Sequence, residues 1–132
     1  MEGNDKTRRR VSSASPYEAT VGFSRAVRVG DRILVAGTAP IGPDGKTFPG
    51  DAEAQAGRCL AIIVEAIEAL GGTAADVVRT RMYLTDAADE AAVGRAHGRI
   101  FADIRPASTM VIVAGLLDPA WKVEIEAEAI IA

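Results

Sequence analysis

The period of the apolar positions changes several times along the chain, and each change marks an element. β-type residues occupy Ala19–Val29 and Arg32–Thr38 on either side of Gly30-Asp31, a hairpin-like junction. Turn formers follow, from Pro40-Ile41-Gly42-Pro43-Asp44-Gly45 to Pro49-Gly50. Asp51 then stands where a helix N-cap belongs, with Glu53 adding negative charge to the first turn. Ala56, Cys59, Leu60, Ile63, Ile67 and Leu70 recur at helical spacing until Gly71-Gly72, while Arg58, Glu65 and Glu68 share another side. The stripe makes Cys59 a buried, inert thiol. Asp76–Leu84 predicts a strand with Val77, Arg79, Arg81 and Tyr83 on one face and Val78, Thr80, Met82 and Leu84 on the other. A second helix fits Ala88–Ile104, weakened by Gly94 and Gly98 and ended by Pro106. Ser108–Ala114, apolar and β-branched, predicts a buried strand. Trp121–Ile131 alternates strictly, with Lys122, Glu124, Glu126 and Glu128 between apolar neighbours.

The order β-β-α-β-α-β-β predicts an α+β sandwich with two helices on one face of a mixed sheet. The other face carries Glu124, Glu126 and Glu128 and, at the same period, Arg79 and Arg81. Two readings stay open: a solvated face of mixed charge, or a face that meets copies of itself with arginines opposite carboxylates across a subunit boundary.

Composition narrows the function. At 132 residues the chain makes one domain, and with only 5% aromatics its core must be aliphatic. We expect a flexible arm over residues 1–15 and a single domain over 16–132. One cysteine and one histidine exclude a disulfide within the chain and a Cys- or His-rich metal cage, and no motif calls for a cofactor. The net charge of −3 is uneven, because the basic first ten residues leave the remainder more acidic still. That acidic body argues against nucleic acid as a partner. No apolar run has the length of a membrane span or follows the basic start as a secretory signal, so a cytoplasmic location is expected.

Several segments together resemble the reactive-intermediate deaminase superfamily, also called the RidA, YjgF or L-PSP endoribonuclease group. They are Ser15-Pro16-Tyr17, Ala36-Gly37-Thr38-Ala39-Pro40, the Asp51–Gly71 helix, Arg79–Asp86, Arg105-Pro106-Ala107-Ser108-Thr109 and Val123–Ala129. The resemblance implies a chorismate-mutase-like subunit and a homotrimer whose sheets close a central barrel, with small-molecule clefts between subunits. Active members hydrolyse imines and enamines to ketoacids and ammonia. For that work an arginine fork holds the substrate carboxylate and a glutamate moves protons. The resemblance puts Glu124 at the glutamate position and Tyr17, Gly37, Ser108, Thr109 and Met110 around the ligand.

The family's arginine is absent: its Pro-Ala-Arg reads Pro106-Ala107-Ser108 here. Losing such a partner costs on the order of 2–5 kcal/mol. Gly94 and Ala36 replace two further polar cleft residues. Arg81 is the candidate to take over anion binding, whereas Arg105 and His97 fit surface roles better. The expected function is a homotrimer binding a small polar or anionic metabolite without standard 2-iminoacid deaminase activity. The alternatives are an imine or enamine hydrolase using Glu124 and water and, less favoured, an endoribonuclease or translation inhibitor.

Overall fold

The computed structural model describes residues 8–13 and 15–132. Their strands are β1 (Arg8–Val11), β2 (Ala26–Val29), β3 (Arg32–Thr38), β4 (Val77–Leu84), β5 (Ala107–Ile112) and β6 (Val123–Ile130). They form one sheet in the order β1-β2-β3-β6-β4-β5, antiparallel throughout except for the β4–β5 pair. Helices α1 (Ala52–Ala69) and α2 (Glu90–Phe101) supply the second layer of this α+β sandwich. No helix among the described residues is long and apolar enough to cross a membrane.

Asp51 caps α1 as its position predicts, accepting a hydrogen bond from the Ala54 N–H at 2.9 Å. The stripe Ala56, Cys59, Leu60, Ile63 and Ile67 is wholly buried, packed with Ile33, Met82, Leu84, Val123 and Ile125 of the sheet and with Val93, Ala96 and Phe101 of α2. Buried Gln55 fastens the loop ahead of β6, donating to the Ala120 carbonyl at 3.1 Å and accepting from the Lys122 N–H at 2.8 Å. At the other end of α1, Gly71 (φ 89°) turns the chain, and the Gly72 N–H reaches back to the Ile67 carbonyl at 3.0 Å. Arg28 and Arg9 both donate to the Leu70 carbonyl, at 2.7 and 3.2 Å, bringing positive charge to the negative end of the helix.

Four expectations change. Part of the presumed flexible arm is ordered: Arg8–Val11 pair with β2, and Arg9 anchors on α1; residues 1–7 and 14 lie outside the described residues. The run from Ala19 to Val29 is not one strand. Glu18–Gly22 coil into a helical turn that Gly22 (φ 89°) ends, and the strand begins at Ala26. In β4 a register shift between Val77 and Arg79 turns Val77 into the core and leaves Val78 outside. Finally, β5 is an edge strand with only β4 beside it. Its β-branched residues, read as buried, are exposed in the single chain, Ile112 at 51%.

Candidate functional site

Two residue groups stand on opposite faces of the sheet. On the face away from the helices, β4 and β6 place Arg79 beside Glu128 (3.5 Å) and Arg81 beside Glu126 (3.6 Å), and the Tyr83 hydroxyl donates to Glu126. The arginines thus find their carboxylates within one chain, where a pairing across a subunit boundary was one expectation. Arg81 is engaged in that ladder, and Thr109 sits in register beside it on β5.

At one end of this open face the ladder stops and a different arrangement begins. An extra residue in β3 between Val35 and Thr38, facing β6, forms a bulge around Ala36-Gly37. There Gly37 lets the Glu124 carboxylate come so close that a Cβ would collide with its Oε2. Arg25, just ahead of β2, donates from Nη2 to the Gly37 carbonyl at 2.6 Å. Its Nε is buried with no hydrogen-bond partner among the described residues. Burial works against both charges. It raises the Glu124 pKa above the ordinary carboxylate value, aided by Glu126 and opposed by Arg25, and it lowers that of Arg25. The two groups feel each other electrostatically, yet no N···O distance between them falls within 4.0 Å. Beneath them Cys59 is driven up to about 12, first by burial and then by the charge of Glu124. A carboxyl whose charged form is disfavoured by burial, near a guanidinium, can pass a proton to, or hydrogen-bond, a small polar molecule.

The second group faces the helices. The buried Thr80 hydroxyl donates to Ser108 Oγ at 2.8 Å and lies 2.9 Å from His97 Nε2 on α2, linking Ser108 to a histidine whose pKa burial lowers. Met110, on the same side of β5, packs against the core. The His97 ring stacks at a tilt on Phe101, 4.7 Å away.

Of the residues singled out from sequence, then, Glu124 and Gly37 meet. Ser108 and Met110 lie across the sheet from them. Tyr17 precedes the Glu18–Gly22 turn with 65% of its surface exposed. Arg105 takes a left-handed conformation (φ 56°) in the turn into β5, its side chain exposed. Sequence reasoning missed Arg25. Reading Ala19–Val29 as one strand hid it, although the two-residue step from Val29 through Val27 puts an arginine on the Glu124 face.

A small α+β subunit with helices on one sheet face and a half-buried carboxylate and guanidinium at the end of the other is the class defined so far. The endoribonuclease L-PSP family model matches residues 13–131. The chain belongs to this family, the RidA/YjgF superfamily. It is 42% identical to a Streptomyces coelicolor protein over 121 residues, spanning 92% of this chain and 90% of that one. It is 32% identical to the 2-iminobutanoate/2-iminopropanoate deaminase of Escherichia coli K12 over 111 residues, covering 82% and 86% of the two chains. The crystal structure of Rv2704 from Mycobacterium tuberculosis, a member of the YjgF/YER057c/UK114 family, superposes with a TM-score of 0.85 at 44% identity. That match covers 94% of this chain and 99% of that one.

Proposed function

We propose that the chain acts as a homotrimer that holds a small polar or anionic metabolite in clefts between subunits, with Glu124 as the group that moves or shares a proton there. One observation carries this reading. Family resemblance gathers Glu124, Gly37, Ser108 and Met110 around one ligand, but a single chain keeps the first two on the open face and the last two on the helix face. A common cleft therefore needs a second chain. The exposed edge strand β5, with Val111 at 39% and Ile112 at 51% exposure, gives that second chain something to cover. Tyr17 and Thr109 belong to the same proposed cleft, Arg81 to its border.

Ser108 offers one neutral hydroxyl, already tied to Thr80, where a guanidinium fork would clamp a carboxylate. Standard 2-iminoacid deamination is accordingly weak in this reading. Imine or enamine hydrolysis is the second reading, favoured by the raised Glu124 pKa and by the name of the Escherichia coli relative. The test is a coupled assay in which a dehydratase generates 2-aminoacrylate. We expect clearance within about twofold of the spontaneous rate, a factor worth under half a kcal/mol of barrier. Fast clearance abolished by Glu124→Gln establishes the hydrolase instead. Light scattering at micromolar concentration checks the assembly, and a species of 13.8 kDa overturns the trimer.

A further inference from the structure

We infer that Arg25 is the anion-binding residue of this protein, and that it receives a small monocarboxylate in the space it leaves open beside Glu124 and Gly37. The inference rests on the cleft reading above and adds to it the charge that recognises the ligand.

A guanidinium carries five N–H donors. In Arg25 one is held by the Gly37 carbonyl at 2.6 Å, which fixes the plane of the fork, and Nε is shielded. The remaining terminal donors of this half-buried side chain have no carboxylate of the described residues within 4.0 Å. Arg79 and Arg81, in the middle of the same face, each have a carboxylate partner. A cation drawn partly out of water without an ion pair is costly unless an anion visits it. Glu124 does not fill that place, since its carboxylate is turned against Gly37. Glu18, the other acid that acts on Arg25 through space, is held by the backbone N–H and hydroxyl of Ser13.

The position has a chemical consequence. Ser108 stands across the sheet, on the helix side, so an acid group held by Arg25 enters from the wall that carries Glu124 rather than from the wall that carries Ser108. The ligand's carboxylate then lies next to the carboxyl that would otherwise act on its reactive carbon. Such an orientation binds the acid without presenting its far end to Glu124. It also couples binding to protonation, because a bound anion is best tolerated when Glu124 is neutral. The charged and titratable groups around Glu124 are Arg25 on the β2 side, Glu126 along β6, Tyr83 across on β4 and the Cys59 thiol from α1. Glu124 is the carboxyl of this group whose pKa burial raises above the ordinary carboxylate value.

The experiment is calorimetric titration of the assembled protein with acetate, pyruvate, 2-oxobutanoate and serine, and with pyruvamide as an uncharged control, at pH 5 and pH 8. The wild type is expected to bind at least one carboxylate, not the amide, and more tightly at pH 5. Arg25→Gln weakens that binding by about 10- to 100-fold, and Arg25→Lys recovers part of it. Glu124→Gln binds at least as tightly as the wild type and loses the pH dependence, a result that a merely structural role for the pair would not produce. If the wild type binds a carboxylate and both Arg25 variants, folded by circular dichroism, bind it equally, Arg25 is not the anion site although the cleft stands. If the wild type binds no carboxylate at either pH, the inference falls, while a cleft for a polar, uncharged molecule stands or falls with the light-scattering test.

Discussion

Replacing Gly37 with alanine separates a positional effect from a stability effect, because of what the new methyl meets. The added Cβ runs into Glu124 Oε2, while the carboxyl carbon and Cγ of the same side chain lie at 3.5 and 3.8 Å, ordinary contact distances. Only the end of one side chain has to give. The displacement required is roughly 1 Å, and turning a side chain that far off its preferred angle costs about 0.5–1.5 kcal/mol. Gly37 is not among the residues with positive φ, so alanine fits the backbone and returns about 0.4–1 kcal/mol through the unfolded state. The net change in unfolding free energy, read from urea titration, is therefore expected within about 1 kcal/mol of zero. The carboxylate, however, has been pushed off its place. A shift of that size at a reacting group lowers its effect by about 100-fold, so any Glu124-dependent property, including pH-dependent binding, is expected to be lost in a protein that still folds. A loss of several kcal/mol in stability would refute the reasoning, since it would mean that Glu124 cannot move. Unchanged pH dependence would refute it from the other side.

Two further outcomes follow from the same region. Glu124 has a folded pKa above its unfolded value of 4.5, chiefly through burial, so wild-type stability falls as pH climbs from the unfolded value through the folded one. Glu124→Gln is expected to be more stable than the wild type at pH 7 and to lose that advantage below pH 4.5, checked by thermal melts across the range; a variant less stable at pH 7 contradicts the sign. Cys59, fully buried and with its thiol near 12, is expected to stay unmodified by a thiol reagent at pH 8 until denaturant is added, and rapid labelling of the native protein would contradict its place in the core.

The helix α1 was legible in detail because its cap, its stripe and its glycine stop all agree, each a local signal with its own physical cause. So was β6, where strict alternation against α1 leaves a single register. The segment before β2 misled because Thr20 and Val21 favour extended structure, yet no strand among the described residues lies beside them and Gly22 permits a helical turn. The exposure of β5 was hidden for a related reason: apolar, β-branched composition reads as burial, and in the single chain only β4 lies beside it. Within the candidate site, Glu124 and Gly37 could be located from motif register. Their neighbour Arg25 could not, because its relation to them depends on the bulge in β3, and a bulge leaves no mark in the alternation of Arg32–Val35.

Because Arg79 and Arg81 are matched to Glu128 and Glu126 in the same chain, the middle of the open face is close to electrically neutral before anything lands on it. What a covering surface gains there is the removal of Leu34, Val78, Val111 and Ile130 from water. Contact across that face would hold when ionic strength is raised and weaken on cooling, the reverse of what a joint built from complementary charges would do.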